Sequence, residues 1–165
     1  MVVVERPRRA ARVEERAREE CALKIVSRLA SLVIVAGLVV LIATGSFFSA
    51  SPLVIACQVG ALVVAVWARR SFARGQFRFL PNPRGDALIR RGPYRFIRHP
   101  MYASAMLLIW ATILGHWSLR SLAVGVVVTL AVIPRILDEE RKLREHYPDY
   151  ADYARSTRAL VPFVV

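Results

Sequence analysis

The chain has 165 residues, of which 24 are Lys or Arg and 12 are Asp or Glu, and 56% of its residues are hydrophobic. This apolar share exceeds the roughly 45–50% of ordinary globular domains and excludes a disordered basic protein, while the length argues against two domains. The net charge of +12 suggests anionic partners unless charged and apolar residues are segregated along the chain. They are segregated, because four stretches contain no Asp, Glu, Lys or Arg, namely 29–48, 51–68, 102–119 and 121–134. A soluble domain of this size cannot bury four such runs, which indicates an integral membrane protein.

The apolar runs predict an all-α bundle of four membrane helices in a single domain, 1–165. The first helix is expected over 24–48, after a mixed-charge N-terminal segment that indicates a solvated or interfacial helix. Pro52 is well placed to open the second helix, expected over 52–68. The third, over 100–115, is short, since it extends roughly 24 Å against a hydrocarbon core of ~30 Å. The fourth is expected over 118–137, with a helical continuation into water.

The distribution of basic residues predicts the orientation of these helices. With four spans, 23 of the 24 basic residues lie on one side of the membrane, and Arg120 lies on the other. The positive-inside rule then places both termini, the central loop and the C-terminal helix in the cytoplasm, at the cell or inner membrane. The net charge therefore mostly reflects orientation and requires no nucleic acid partner. Any active site is expected on the cytoplasmic side, where the charged and aromatic residues are dense.

Polar and aromatic residues cluster where the third helix is expected to begin. Residues 98–102 read Arg-His-Pro-Met-Tyr, and a Gly-Pro-Tyr turn at 92–94 precedes them. Because proline suits the first helical position, Pro100 is expected to open the helix, whose free backbone N–H groups favour a carboxylate or phosphate. For each residue taken singly, contact with lipid headgroups is the simpler explanation. The density of the cluster favours a binding site.

A second polar segment follows the fourth helix. Glu139 lies one turn after Arg135, so the two are expected to share a face, whereas Glu140 is expected to point elsewhere. Further along the chain come Tyr147, Tyr150, Tyr153 and Arg158. Two explanations suit this pattern: an amphipathic helix that lies against the membrane, or a lid that brings aromatic walls and acidic groups over a cofactor.

Together the two segments resemble the isoprenylcysteine carboxyl methyltransferase family and its wider relatives among the membrane phospholipid methyltransferases. The family pattern has Gly-x-Tyr, then Arg-His-Pro-x-Tyr opening a membrane helix, and after a helical hairpin Glu-Glu-x-x-Leu, spaced tyrosines and Arg-x-x-x-Pro. The chain matches at Gly92, Tyr94, Arg98, His99, Pro100, Tyr102, Glu139, Glu140, Leu143, Tyr150, Tyr153, Arg158 and Pro162. The resemblance implies a helical membrane enzyme that uses S-adenosylmethionine, binds it in the region 90–162 and has no Rossmann fold.

The resemblance also implies roles for individual residues. The candidate cofactor-binding residues are Tyr94, Arg98, His99, Pro100, Tyr102, Glu139, Glu140, Tyr150 and Tyr153. Basic groups at the helix start suit the carboxylate of the cofactor, the paired glutamates suit its ammonium group, and tyrosine faces suit its adenine and sulfonium. The candidate catalytic residues are Arg158, Glu139 and Arg135, since an arginine would hold a carboxylate acceptor, and a glutamate or a histidine would serve an amine as base. No metal site is expected.

The implied function is an S-adenosylmethionine-dependent methyltransferase that acts on a lipophilic acceptor. Carboxylate O-methylation of an isoprenylcysteine-like substrate is favoured, although a small lipophilic acid or amine, or a membrane lipid, suits the same residues. One alternative enzyme is an NADPH-dependent membrane reductase related to sterol reductases, because a basic face would also hold phosphates. A non-enzymatic scaffold, whose basic face recruits anionic lipid or another protein, is the alternative from a different class. The oligomeric state stays open.

Overall fold

The computed structural model describes residues 28–47, 49–72 and 88–160, together with the isolated helical positions 22 and 25. Within this part of the chain, five α-helices follow one another: α1 (Arg28–Ala43), α2 (Pro52–Arg70), α3 (Pro100–Gly115), α4 (Leu119–His146) and α5 (Tyr150–Ser156). A single 3₁₀ turn, Gly92–Arg95, precedes α3. No β-strand occurs among the described residues, which confirms the predicted all-α class. The mixed-charge N-terminal segment and Pro162 lie outside the described residues.

The starts of α2, α3 and α4 lie within one residue of the predicted positions 52, 100 and 118. Pro52 and Pro100 occupy the first turns of α2 and α3, where a missing N–H costs no helical hydrogen bond. At its C-terminal end, α1 stops earlier than the predicted position 48. The reason is a turn over 44–47, in which Gly45 has a φ of 69°, a left-handed conformation that glycine adopts without strain. Positions 24, 26 and 27 of the predicted first helix lie outside the described residues.

The core lies between α1, α3 and α4. Its buried members are Leu41, Ile109, Ile113, Val128, Val132 and Ile136. The absence of a side chain at Gly37 lets α1 approach α4 closely, because a Cβ there would lie 2.6 Å from a methyl group of Val128. Helix α2 is held to α3 by Gln58, whose amide donates to the backbone oxygen of Phe47 over 2.9 Å and to Thr112 Oγ1 over 3.1 Å.

The outer surface of the described bundle is strongly apolar. Helices α2 and α4 are long and apolar enough to cross a bilayer, whereas α1 and α3, within the described residues, are apolar but shorter. Only 17% of the most apolar stretch of α2 and 33% of that of α4 are buried inside the protein. The core helix of a soluble protein would be mostly buried, so this exposure favours contact with lipid.

The C-terminal part of α4 and the residues after it return to the start of α3. At 28 residues α4 is about 42 Å long, which exceeds the ~30 Å hydrocarbon core, so its charged end at 138–146 extends past the span predicted to finish at 137. After α5 the backbone of Arg158 forms a parallel bridge with Ile97. Arg98 N donates to the oxygen of Arg158 over 2.7 Å, and His99 N donates to that of Ala159 over 3.1 Å. The fold thus brings together two segments that are about 40 to 60 residues apart in sequence.

Candidate active site

His99 lies at the centre of a polar cluster, which consists of Arg98, His99, Tyr102, Arg135, Glu139 and Glu140. It is the N-cap residue of α3 and is 3% exposed. Its Nε2 lies 3.3 Å from Glu140 Oε1, and its Nδ1 lies 3.9 Å from Glu139 Oε2. Glu140 therefore points in a different direction from Glu139, yet both carboxylates face the same imidazole. Neighbouring positions on a helix are about 100° apart, and one imidazole between them reaches both carboxylates.

Arg98 joins Glu140 to the end of α5. Its Nε donates to Glu140 Oε1 over 2.8 Å, and its Nη1 donates to the backbone oxygens of Ala154 and Thr157 over 2.8 and 2.6 Å. The last carbonyls of a helix lack partners within it, so the guanidinium satisfies two acceptors at the C-terminus of α5. Arg98 thereby attaches the C-terminal segment to the cluster.

Glu140 is held in its ionised form. Its other oxygen, Oε2, accepts a hydrogen bond from Arg144 over 3.3 Å. The hydrogen bond from His99 lowers the pKa of Glu140 most, burial opposes this effect, and the hydrogen bond from Arg98 lowers the pKa further, to about 2. Glu140 therefore carries a negative charge at any physiological pH.

Glu139 is connected to a different set of groups. Tyr102 Oη donates to Glu139 Oε2 over 2.9 Å, and Arg135 Nε donates to Tyr102 Oη over 2.5 Å. Arg135 is 5% exposed and also donates to Ser31 Oγ in α1. Nothing in the sequence singled out Ser31, because a serine in an apolar helix usually has no role beyond packing. The side chain of Glu139 is 31% exposed, so it is accessible to a ligand.

Tyrosines form an aromatic wall beside the cluster. Tyr150 and Tyr153 are buried and pack edge to face with their ring centroids 5.9 Å apart. Tyr153 Oη donates to the backbone oxygen of Tyr94 over 2.7 Å, and burial raises the pKa of Tyr153 to about 12. The Oη of Tyr150 is buried and has no hydrogen-bond partner among the described residues. The guanidinium of Arg90 lies over the Tyr153 ring, an interaction that spacing along the sequence does not reveal.

The fold thus brings most of the predicted site residues together, in two adjoining groups. Pro100 is buried at the start of α3 and carries no N–H, so it orients the helix rather than donating a hydrogen bond. Arg158 is an exception among the predicted catalytic residues, since it joins the arrangement through its backbone while its side chain is exposed. Arg135 is buried and donates to Tyr102 Oη.

Comparison with known proteins agrees with the resemblance. The sequence profile of the family described as "Phospholipid methyltransferase" matches residues 49–150, which is more than half of the chain. The match includes α2, α3, α4 and both glutamates of the cluster, and it ends at Tyr150, so Tyr153 and Arg158 lie beyond it.

A curated relative and the solved structures complete the comparison. Over 89 residues the chain is 35% identical to "Cobalt-zinc-cadmium resistance protein CzcN" from Cupriavidus metallidurans. This alignment covers 51% of the chain and 39% of that relative, so the chain spans about two fifths of the relative's length. No solved structure matches the chain. The profile match and the exposed apolar helices agree, and this integral membrane chain belongs to the phospholipid methyltransferase family.

Proposed function

We propose that this protein is an S-adenosylmethionine-dependent methyltransferase that methylates a lipophilic acceptor at the membrane surface. The observation that carries the proposal is the meeting of the α3 N-terminus with the paired carboxylates of Glu139 and Glu140 around His99. Family membership supports the reaction type, and the exposed apolar faces of α2 and α4 support an acceptor that resides in the bilayer.

The residues of the cluster suit the amino-acid end of S-adenosylmethionine. The accessible carboxylate of Glu139 would hold the ammonium group, with the charge of Glu140 beside it. The N-terminus of α3 has no side-chain cap, so its first backbone N–H groups would hold the carboxylate, next to the positive charge of Arg98. The unpartnered hydroxyl of Tyr150 supports a bound molecule that completes its hydrogen bonding.

The remaining work of the chain is orientation and the exclusion of water. When bound, S-adenosylmethionine supplies an electrophilic methyl group on its sulfonium. The faces of Tyr94 and Tyr153 would support the flat adenine and the sulfonium, and the buried position of the tyrosine wall would keep water away. Alignment of two reactants in this way contributes a large part of the rate in a displacement at carbon.

We propose a carboxylate of the isoprenylcysteine type as the acceptor. Such a group is already ionised at neutral pH and needs no general base, whereas an amine acceptor would need one, for which Glu139 is the candidate. Of the two candidate arginines we assign Arg158 to the acceptor carboxylate, because its side chain is exposed and its backbone is bound to the segment before α3. The lipophilic part of the substrate would stay in the bilayer beside α2 and α4.

The proposed orientation follows from the basic residues. We propose that α1 to α4 each cross the membrane, with both termini and the cluster in the cytoplasm. Support comes from the side opposite the cluster, where the first turn of α4 contains one basic residue, Arg120, and the turn between α1 and α2 contains none.

The proposal is tested by calorimetric binding followed by a labelled-methyl assay. We expect the purified protein to bind S-adenosylmethionine and not NADPH, and to methylate lipophilic carboxylates in a panel that also contains thiols, amines and phosphatidylethanolamine. Binding of NADPH without S-adenosylmethionine would instead support the reductase alternative. Mass spectrometry of the product identifies the acceptor, and an N-methylated headgroup would replace our choice of acceptor while keeping the reaction.

Two variants distinguish the enzyme from a membrane scaffold. Glu139→Ala should abolish cofactor binding, because it removes the accessible carboxylate of the cluster. Glu145→Ala is the matched control, since Glu145 lies on the same helix, is exposed and pairs only with the exposed Arg141 among the described residues. Equal binding by both variants would contradict the proposed site.

A further inference from the structure

A path of hydrogen bonds leads from α1 to the accessible carboxylate of the cluster. Ser31 Oγ accepts from Arg135 Nη1, Tyr102 Oη accepts from Arg135 Nε, and Tyr102 Oη donates to Glu139 Oε2. The path therefore joins three helices, α1, α4 and α3, before it returns to α4. It connects a guanidinium that is 5% exposed to a carboxylate that a ligand reaches.

The chemistry of the groups determines the direction of every donation in this path. A guanidinium has only donors, so Tyr102 Oη must accept from Arg135 through a lone pair. The one hydrogen of the hydroxyl is then directed at Glu139 Oε2. That oxygen also faces His99 Nδ1 at 3.9 Å, which leaves Oε1 of Glu139 to accept from a ligand. Arg135 thereby selects the oxygen that Glu139 presents.

Arg135 is buried and packs against Tyr102, with its guanidinium 5.6 Å from the centre of the Tyr102 ring. Burial of a guanidinium between membrane helices is costly unless its donors are satisfied, and Ser31 and Tyr102 each satisfy one. Ser31 lies in α1, outside the residues 49–150 that match the family, so the family comparison assigns it no role.

We propose that Arg135 is a positioning residue, which acts on cofactor binding through Tyr102 by orienting Glu139, and that Ser31 holds Arg135 in place. This inference rests on the proposed function, because Glu139 is there the partner of the cofactor's ammonium group. It differs from the sequence hypothesis, in which Arg135 holds a carboxylate acceptor. Under the inference, α1 contributes to the site without touching a substrate.

Titration calorimetry with S-adenosylhomocysteine tests the path without turnover. Tyr102→Phe and Arg135→Gln should each raise the Kd about tenfold, since either change removes the oriented hydrogen bond to a charged carboxylate. The double variant should show about the same tenfold rise and no more, because both residues act along one path. Ser31→Ala should raise the Kd less, and Arg135→Lys should restore part of the affinity. The KM of the acceptor should stay unchanged in all of them.

Thr129→Val is the matched control. It removes a hydroxyl from the same pair of helices, where Thr129 accepts from Trp110 Nε1 over 3.2 Å, and it should leave the Kd unchanged. Should Arg135→Gln fail to fold, the inference is tested by the other three variants: the Kd should rise about tenfold in Tyr102→Phe, less in Ser31→Ala, and not at all in Thr129→Val.

Three results would overturn the inference. A rise of about a hundredfold in the Kd of the double variant, which is the product of the two single effects, would show that Arg135 acts independently of Tyr102. If Arg135→Gln raises the KM of the acceptor and leaves the Kd for S-adenosylhomocysteine unchanged, Arg135 binds the acceptor, as the sequence hypothesis has it. The reaction type of the proposed function would then still stand. Failure of the unmodified protein to bind S-adenosylhomocysteine would contradict the proposed function, and the inference with it.

Discussion

Arg98 offers the sharpest test of how the C-terminal segment is held over the cluster. Its side chain and that of Glu140 are 13% and 15% exposed, and it donates to three acceptors that belong to two different elements. Removal of one partner from a largely buried ion pair costs about 3–5 kcal/mol, because the other charge stays behind. For a chain of this length that loss corresponds to a fall of about 6–20 °C in the unfolding midpoint.

We therefore expect Arg98→Ala to lower the thermal midpoint in detergent by about 6–20 °C and to speed tryptic cleavage after Arg155 and Arg158, because the backbone around these exposed side chains is held less firmly. Arg98→Lys keeps the charge but loses the planar guanidinium that reaches both Glu140 and α5. We therefore expect it to lower the free energy of unfolding by a smaller amount, about 1.5–3 kcal/mol. Arg141→Ala is the control, because that arginine is 50% exposed and its pair with Glu145 contributes about 1 kcal/mol at most. Equal midpoints for Arg98→Ala and the control would refute the reasoning.

Three further predictions address the cluster and its surroundings. Because the pKa of Glu140 lies at about 2 instead of 4.5, its ionised form stabilises the fold above about pH 4.5, and this contribution is lost as the pH falls through about 2. The thermal midpoint of the unmodified protein should fall as the pH is lowered through this range, and that of Glu140→Gln should fall less. This result would confirm that the ionised form of Glu140 stabilises the fold. Gly92→Ala should destabilise the protein by about 1–2 kcal/mol, because Gly92 has a φ of 63° and a Cβ would collide with Ser71, whereas Gly60→Ala in open space should not. Tyr150→Phe should leave the thermal midpoint unchanged, since its hydroxyl has no partner among the described residues, yet it should weaken S-adenosylhomocysteine binding in calorimetry. Tyr153→Phe should lower the thermal midpoint, because its hydroxyl donates to the backbone oxygen of Tyr94. The reverse pattern would contradict both assignments.

The prediction of helices succeeded where a strong local signal exists. Long apolar runs and the prolines at positions 52 and 100 encode the helices and their starts, because a proline suits the first turn whatever surrounds it. The end of α1 was predicted too late, since the residues after Ala43 remain uncharged up to position 48 and the left-handed turn at Gly45 stops the helix. The extension of α4 to His146 was expected as a continuation into water, although its extent was not.

The residues of the site were predictable from the sequence, but the hydrogen bonds between them were not. The Arg-His-Pro and Glu-Glu segments were identified by their resemblance to a family, and the family match confirms that resemblance. The pairing of Arg98 with Glu140, and the contact of Glu140 with His99, depend on how α3 and α4 are rotated against each other. A difference of one position on a helix changes the direction of a side chain by about 100°, which no spacing rule resolves without a partner helix.

The sequence by itself determined the class of this protein, because the segregation of charged and apolar residues follows from the cost of placing charge in lipid. It also indicated the family, through short motifs whose residues are adjacent along the chain. Only the tertiary structure decided which groups meet, since the contacts of Arg135 with Tyr102 and Ser31 join residues 33 and 104 positions apart. A hydrogen bond requires a donor–acceptor distance of about 3 Å to within a few tenths of an ångström, and such distances are established only after the helices have packed.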